Sequence, residues 1–220
     1  MGSFEILYED RDILVCNKPA GLAVQSARVS EPDLVSELKK YLSQSYLGVV
    51  HRLDQPVSGL LVFAKNKKAA AALSRQTAAH QLNKLYRAVV YAPQPFALPE
   101  QTLTDWLAKE PGGGGRITAS SEPGARQARL TYRCLEQKEG CALLEIDLET
   151  GRHHQIRLQL AHAGLPLLGD QRYGTPESRE LSQRLGVRRI CLQAAALTFF
   201  HPTSGKKVSY ELEDKIGLPQ

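Results

Sequence analysis

Residues 51–66, HRLDQPVSGLLVFAKN, join a short charged segment to a strongly apolar one. The apolar run Gly59–Ala64 is bounded by turn residues, which predicts a buried strand over 59–65. Asn66 follows at once and predicts the N-cap of an alanine-rich helix that extends to about His80. The segment 56–59, Pro-Val-Ser-Gly, predicts a tight turn before the strand. His51, Arg52 and Asp54 are therefore expected on a loop whose direction is set by rigid backbone.

Short strands and hairpins dominate the rest of the chain. Strands are predicted at 4–8, 13–17, 84–92, 128–136 and 141–149, with a final hairpin over 189–213. Helices are predicted after Ser30, as N-cap, up to Leu42, and over 151–164, where Ile156 and Leu160 point inward and Gly164 ends the helix. The Pro- and Gly-rich segment 93–127, which contains PGGGG, is predicted to be a flexible loop. Hairpins without regular βαβ alternation predict an α+β fold with a mixed, mostly antiparallel sheet and flanking helices.

Composition excludes several classes of protein. No apolar stretch is long enough to span a membrane, and the N-terminus has no secretory pattern, so we expect a cytoplasmic protein. The four cysteines occur singly, without a C-x-x-C pair, which argues against zinc and redox sites. The glycine run lacks the Lys-Ser/Thr of a phosphate-binding loop. The formal charge of +5 permits a polyanionic partner, and arginines are concentrated in 116–133 and 151–189.

Asp54 is the main candidate for chemistry. A surface carboxylate paired with Arg52 or His51 is the simpler interpretation of this residue. Against it, a second basic cluster begins at a predicted helix start, where anions are favoured, and comprises Arg152, His153, His154 and Arg157. An aspartate held near such a cluster stays ionised, as a nucleophile must.

The histidines and Tyr86 allow further hypotheses. On a helix, His153 and His154 would point about 100° apart, so we predict no metal site there. Tyr86 and Lys84 would share one face of a strand, which suits an aromatic platform beside a phosphate contact. The alternative for Tyr86 is an ordinary strand aromatic, half in the core.

Several stretches, in order, resemble the motifs of RluA-type RNA pseudouridine synthases. They are ILYEDRDILVCNKPAGLAVQS, HRLDQPVSGLLVFAKN, KLYRAVV, GRHHQIRLQLAHAGLPLLGDQRYG and RICLQAAALTFFHPTSGKK. The resemblance covers residues 5–213 and implies the pseudouridine synthase fold with a central cleft. It implies isomerisation of uridine in structured RNA, ribosomal or transfer, with no cofactor and no metal. Because the pattern starts at residue 5, we expect a single catalytic domain over residues 1–220, without a separate N-terminal RNA-binding domain.

The resemblance also implies roles for individual residues. Asp54 corresponds to the catalytic nucleophile or base, Tyr86 to the tyrosine packed on the target base, and Arg157 to the arginine that pairs with the aspartate. Arg52 corresponds to the arginine that replaces the flipped nucleotide, and Leu192 to an apolar pocket position. His51, Lys84, Arg152 and His154 are further RNA-binding candidates. Gln193 stands where the family commonly has histidine, which puts the local hydrogen bonding in question.

Two other functions remain open at this stage. A non-catalytic RNA-binding module would be expected to have lost Asp54 or Arg157, and both are present. A hydrolase using Asp54 with His51 or His154 would release uracil or cleave RNA. The expected partner is an RNA stem-loop, with no membrane, and the expected state is a monomer. Whether Asp54 attacks the ribose, attacks the base or removes a proton is left open.

Overall fold

The computed structural model describes residues 4–26, 28, 31–96 and 100–219, and the chain divides into two compact units. Unit 1 comprises 1–84 and 194–214, and unit 2 comprises 85–193 and 215–220. In chain order the elements are β1 (Glu5–Glu9), β2 (Ile13–Lys18), α1 (Leu34–Leu42), β3 (Gly48–Val49), β4 (Ser58–Ala64), α2 (Lys67–Ala78), β5 (Asn83–Tyr91), β6 (Glu100–Glu110), β7 (Gly114–Thr118), β8 (Arg126–Lys138), β9 (Cys141–Leu148), α3 (Gln155–His162), α4 (Pro176–Arg184), β10 (Leu192–Phe200) and β11 (Lys207–Glu211).

Unit 1 is built on a sheet in which β1, β2, β4 and β10 are neighbours in that order, with β3 beside β4 and β11 beside β10. The pairs β1–β2, β2–β4, β3–β4 and β10–β11 are antiparallel. Leu73 of α2 packs with Leu60, Val62 and Phe199 in an apolar core. Burial of such side chains, at about 25 cal/mol per Å² of apolar surface, is the main force that holds α2 to the sheet.

Unit 2 contains an antiparallel sheet in the order β5-β9-β8-β6-β7. Val89, Leu143 and Leu168 form one of its apolar clusters, and Leu181 brings α4 onto that cluster. Leu158 of α3 packs with Leu107 and Ala128 in a second cluster. The predicted α+β class with a mostly antiparallel sheet is therefore confirmed. Two compact units can belong to one catalytic domain, so the single domain over residues 1–220 stays a prediction.

Several local predictions agree closely with the structure. The helix after Asn66, the hairpin of β8 and β9 and the hairpin of β10 and β11 lie where they were expected. Asn66 caps α2 by accepting a hydrogen bond from the Ala69 N–H. None of the helices in the described ranges combines the length and apolar character needed to span a bilayer.

The predicted flexible loop over 93–127 is wrong for residues 100–118, whereas residues 93–96 and 119–125 do lie outside helices and strands. Residues 100–118 form the antiparallel hairpin of β6 and β7, and β6 also pairs with β8 along most of its length. The glycines are explained by the turn: Gly112 and Gly113 adopt φ of +91° and +84°, values that side chains disfavour. The glycine run therefore closes a hairpin. Residues 97–99 of this segment lie outside the described part of the chain.

Helix starts were the other source of error. Asp33 is the N-cap of α1, accepting a hydrogen bond from the Ser36 N–H, and the predicted cap Ser30 lies outside the described residues. Helix α3 starts at Gln155, so His153 and His154 precede it instead of lying on it. Helix α4 was not predicted, although Thr175 and Pro176 are a typical cap and first residue.

Candidate active site

In unit 1 the loop that carries Asp54 is held by backbone contacts on both sides. The Val57 N–H donates to the Asp54 carbonyl (3.0 Å), and the Gly21 N–H donates to the Gln55 carbonyl (2.9 Å). Leu53 and Val57 are buried, whereas Asp54 between them is half-buried. The loop is therefore anchored by its apolar residues, and the Asp54 carboxylate is held by rigid backbone.

Gly59 allows this loop to enter β4 close to β10. Its φ is +121°, and a Cβ there would lie 2.3 Å from the Ala194 carbonyl oxygen. Only glycine fits such an approach of two backbones. The Pro-Val-Ser-Gly turn noted in the sequence thus ends at a steric requirement of the fold.

Lys18 lies beneath the same loop and has no exposed surface. Its ammonium donates to the carbonyls of Pro19 (2.9 Å), Leu22 (2.7 Å) and Gln55 (3.1 Å). Burial lowers the pKa of Lys18 to about 8, and the negative charge of Asp54 opposes that shift. Lys18 is therefore a positive charge next to the candidate acid, and it also ties two loops together. Sequence reasoning did not single it out.

His51 is a neutral acceptor in this structure. Its Nε2 accepts the Val62 N–H (3.1 Å), so the ring hydrogen resides on Nδ1. Burial, and then the charge of Lys84, lower the pKa of His51 to about 3. Such a histidine is a backbone anchor for β4. Burial also lowers the pKa of Lys84. The side chain of Arg52, in contrast to those of His51 and Lys84, is exposed to solvent.

In unit 2 the guanidinium of Arg157 is held by Asp170. Nε and Nη2 of Arg157 each donate to one carboxylate oxygen of Asp170, both at 2.8 Å. Both side chains are almost completely buried. Arg157 holds the pKa of the Asp170 carboxyl below its usual range, against the opposing effect of burial. The sequence stretch LGDQRYG contains Asp170, but spacing alone gave no reason to pair it with Arg157.

Tyr173 connects the same site to the β6–β7 turn. Its hydroxyl accepts the Gly115 N–H (3.1 Å) and lies 2.7 Å from Nδ1 of His154. The Arg157 guanidinium lies over its ring, 4.9 Å from the centroid. The rings of His153 and His154 are stacked, with centroids 3.8 Å apart. The predicted divergence of the two histidines is therefore wrong, because neither lies on a regular helix.

The segment before α3 is shaped by a strained residue and by an amide network. His154 has φ of 53° and ψ of 24°, the left-handed region that costs a residue other than glycine about 1–2 kcal/mol. The Gln155 amide holds the segment by accepting from Thr150 Oγ1 (2.8 Å) and the Arg152 N–H (3.0 Å). Burial, followed by the charge of Arg157, lowers the pKa of His154 to about 4. Strained residues cluster at functional sites, so the backbone of His154 supports the hypothesis that this residue has a function.

The remaining candidates differ in exposure. Tyr86 is 5% exposed and Leu192 is 4% exposed, whereas Arg152 is exposed and donates from Nε to the Gln127 carbonyl (3.0 Å). Gln193 is buried and accepts the Ile216 N–H (3.0 Å), which provides hydrogen bonding where the family commonly has histidine. The nine predicted residues are thus divided between the units: His51, Arg52, Asp54 and Lys84 in unit 1, and Tyr86, Arg152, His154, Arg157 and Leu192 in unit 2.

The arginines of 116–133 are partly neutralised by neighbouring acids. Arg116 pairs with Glu122 (2.6 Å), Arg129 pairs with Glu149 (2.8 Å), and Arg133 pairs with Glu145. These pairs are largely exposed and contribute little to stability. They also reduce the positive charge that β7 and β8 present to a polyanion.

Comparison with known proteins places the chain in a family. The family profile described as RNA pseudouridylate synthase matches residues 12–162. The chain is 35% identical to ribosomal large subunit pseudouridine synthase D of Zymomonas mobilis, over 95% of this chain and 68% of that protein. It is 31% identical to tRNA pseudouridine synthase C of Yersinia pestis, over 93% of this chain and 84% of that protein.

A solved structure supports the fold independently. Human RNA Pseudouridylate Synthase Domain Containing 1 superposes with a TM-score of 0.80 at 23% identity, over 97% of this chain and 84% of that chain. Several other ribosomal large subunit pseudouridine synthases are matched over 58–65% of their own length. The predicted resemblance is confirmed: the chain belongs to the RNA pseudouridylate synthase family.

Proposed function

We propose that this chain isomerises uridine to pseudouridine in RNA, with Asp54 as the catalytic nucleophile or base. Membership of the RNA pseudouridylate synthase family carries the proposal. The reaction breaks the bond between the ribose and nitrogen 1 of uracil and forms a bond between the ribose and carbon 5. Carbon 5 loses a hydrogen and nitrogen 1 gains one, so the composition of the RNA is unchanged. It needs an ionised carboxylate near the sugar–base junction and a pocket that retains the detached base.

The Asp54 loop suits the first requirement. Its backbone is fixed by Val57, Gly21 and Lys18, so the carboxylate loses little freedom when substrate binds. The positive charge of Lys18 nearby favours the ionised form of Asp54. An anchored and ionised aspartate can act as nucleophile or as base, and the proposal includes both.

Arg157 is proposed to act through its charge, and Tyr86 suits the second requirement. An arginine has five N–H donors, and Asp170 occupies two of those of Arg157, which fixes the plane of the guanidinium. A guanidinium fixed in this way presents its positive charge in one orientation, which suits the catalytic role that the family resemblance implies for Arg157. The buried ring of Tyr86, with the apolar side chain of Leu192, would form a pocket wall that excludes water from the free base.

The target base must leave the RNA stack before Asp54 can reach the ribose. We propose that the nucleotide is flipped and that Arg52 fills the vacated space. Arg52 is exposed and lies two residues before Asp54, while Leu53 between them is buried as an anchor. His51, Lys84, Arg152 and His154 are proposed RNA contacts.

The substrate is proposed to be a stem-loop of ribosomal or transfer RNA. Of the relatives named above, one is named for the ribosomal large subunit and the other for transfer RNA. A positively charged chain, at +5, suits a polyanionic partner. We further propose that the protein acts as a monomer in the cytoplasm.

The test uses the purified chain with unmodified transcripts of ribosomal and transfer RNA. Digested RNA is separated by liquid chromatography, which resolves pseudouridine from uridine although their masses are equal. Wild-type protein is expected to form pseudouridine, and Asp54→Asn to reduce the rate at least about 10³-fold while RNA binding persists. Glu213→Gln removes an exposed carboxylate in unit 1 and is expected to leave the rate unchanged. Full activity of Asp54→Asn would remove Asp54 from its role, and release of free uracil would instead indicate a hydrolase.

A further inference from the structure

The hydroxyl of Tyr173 determines which nitrogen of His154 carries the hydrogen. A tyrosine hydroxyl has one hydrogen to donate and two lone pairs to accept with. One lone pair accepts the Gly115 N–H at 3.1 Å. Nδ1 of His154, 2.7 Å away, is the acceptor that the contacts of the described residues offer to the hydroxyl hydrogen.

This geometry has a direct consequence for the imidazole. If Nδ1 accepts the hydroxyl hydrogen, the ring hydrogen of a neutral His154 must lie on Nε2. The opposite tautomer would place two hydrogens between Nδ1 and the hydroxyl oxygen, or leave the hydroxyl hydrogen without its acceptor. Leaving a partly buried hydroxyl unsatisfied is unfavourable.

The surroundings of His154 in unit 2 keep its ring neutral. Burial disfavours a positive charge on it most, and the charges of Arg157, His153 and Arg172 act in the same direction, whereas the charge of Asp170 opposes them. The resulting pKa of about 4 leaves His154 uncharged at neutral pH. A histidine with this pKa is a poor general base near pH 7, because a base is most effective when its pKa lies near the working pH.

The position of His154 is also held firmly. Its ring is stacked on that of His153, and its backbone lies in the left-handed region at the start of α3. Tyr173 is held in turn by Gly115 at the start of β7 and by the Asp170 carboxylate, which accepts the Tyr173 N–H (3.2 Å). The hairpin of β6 and β7 is thereby connected to the orientation of one imidazole.

We propose that Tyr173 is a positioning residue that fixes His154 with its hydrogen on Nε2, and that His154 donates this hydrogen to an oxygen of the bound uridine. The inference rests on the proposed function for the identity of the acceptor. It assigns His154 the role of a neutral hydrogen-bond donor instead of a general base. A neutral donor stabilises charge that develops on an oxygen without adding a proton to the reaction.

The first test reads the tautomer without RNA, in the full chain labelled with ¹⁵N. Long-range ¹H–¹⁵N spectra distinguish a protonated from an unprotonated ring nitrogen, and His154→Gln identifies the His154 signals by their loss. Wild-type protein is expected to show protonated Nε2 and unprotonated Nδ1 from pH 8 down to about pH 5. In Tyr173→Phe the two nitrogen signals are expected to move toward each other, because both tautomers become populated. A hydrogen on Nδ1 in wild-type protein would overturn the inference.

Tyr132→Phe is the matched control for Tyr173→Phe. It also removes a tyrosine hydroxyl bond in unit 2, that to Gln101 (2.8 Å), and it lies outside the proposed machinery. It is expected to leave both the His154 signals and the pseudouridine rate unchanged. A shift of the His154 signals in Tyr132→Phe equal to that in Tyr173→Phe would assign the effect to general loosening of the unit and overturn the proposal.

Activity then tests the donor role. His154→Gln keeps an N–H donor, whereas His154→Phe keeps a flat ring without one, so the glutamine variant is expected to be about tenfold more active. Tyr173→Phe is expected to reduce kcat about tenfold, the size expected for losing one orienting hydrogen bond. Equal rates for His154→Gln and His154→Phe would overturn the donor role. Absence of pseudouridine with wild-type protein would instead refute the proposed function, and the tautomer result would distinguish the two failures.

Discussion

Arg157 and Asp170 meet through two parallel hydrogen bonds of 2.8 Å inside unit 2. The Asp170 carboxylate also accepts the backbone N–H groups of Arg172 (2.9 Å) and Tyr173 (3.2 Å). The Asp170 carboxylate therefore fixes both Arg157 on α3 and the backbone of residues 172–173, which follow α3 in sequence. The pair therefore connects the stability of the unit to the orientation of the Arg157 guanidinium.

Asp170→Asn is expected to lower the free energy of unfolding by about 3–5 kcal/mol, because it leaves the Arg157 charge buried without its partner. Urea denaturation followed by circular dichroism measures this loss. Glu122→Gln breaks the exposed pair with Arg116 in the same unit and is expected to cost less than about 1 kcal/mol. Equal losses of unfolding free energy in the two variants would show that the buried Arg157–Asp170 pair contributes no more to stability than the exposed Arg116–Glu122 pair.

His51 makes stability depend on pH. Its pKa of about 3 in the folded chain lies below the usual value of 6.5, so between these values the unfolded chain binds a proton that the folded chain does not. The free energy of unfolding therefore falls as pH decreases below 6.5, by about 2 kcal/mol at pH 5 from this residue. His154, with its pKa of about 4, acts in the same direction.

The His51 contribution can be isolated by substitution. His51→Gln keeps an acceptor for the Val62 N–H and removes the titration, so the loss of stability between pH 7 and pH 5 is expected to shrink by about 2 kcal/mol. His162 is 60% exposed, and His162→Gln is expected to leave that loss unchanged. A loss in His51→Gln as large as in wild-type protein would contradict the depressed pKa.

Lys18 is expected to combine a stability role with a positioning role. Lys18→Met removes the ammonium donor from three backbone carbonyls, and among the described residues only the Gln55 carbonyl keeps a second donor, the Gly21 N–H. We therefore expect a loss of at least about 2 kcal/mol in unfolding free energy. It also removes one of the two hydrogen bonds that hold the Gln55 carbonyl, next to Asp54, so the pseudouridine rate measured well below the unfolding temperature is expected to fall as well.

Lys65 provides the comparison for Lys18. Its ammonium donates to Glu9 (2.6 Å) and to the Asp10 carbonyl (2.5 Å), on another loop of unit 1. Lys65→Met is expected to lose stability and to retain its rate. If both variants lost stability and both kept the wild-type rate of pseudouridine formation, Lys18 would contribute only to stability and not to the position of Asp54.

The elements that local sequence determines were predictable. The cap at Asn66, the apolar run of β4 and the Glu139–Gly140 turn between β8 and β9 all depend on neighbours in sequence. The glycine run 112–115 was misinterpreted because glycine permits both a flexible loop and the positive φ values of a tight hairpin turn. The hairpin forms because β6 pairs with β8, and this contact between strands distant in sequence cannot be inferred from the glycine run itself.

The candidate site was predictable as a set of residues but not as a network. Motif resemblance pointed to Asp54 and Arg157, whereas Asp170 and Tyr173 join His154 and Arg157 only through the fold. His153 and His154 precede α3, His154 has a left-handed backbone, and their rings are stacked, none of which the residue types alone reveal.

Tyr86 tests whether an aromatic wall or a hydroxyl matters in the pocket. Tyr86→Phe keeps a ring of nearly the same area and is expected to retain most of the pseudouridine rate. Tyr86→Ala removes a side chain that is 5% exposed, so it is expected to lose at least about 10²-fold in rate and about 3–5 kcal/mol in stability.

Because unfolding alone could lower the rate, the comparison uses single-turnover rates at a temperature where circular dichroism shows that both variants are folded. Leu144→Ala, a fully buried residue of unit 2, provides a variant with similar loss of stability and no proposed contact with the base. A lower rate for Tyr86→Phe than for Tyr86→Ala would show that the hydroxyl of Tyr86 matters instead of its ring. Equal rates for Tyr86→Ala and Leu144→Ala would show that Tyr86 acts through the core instead of through the substrate.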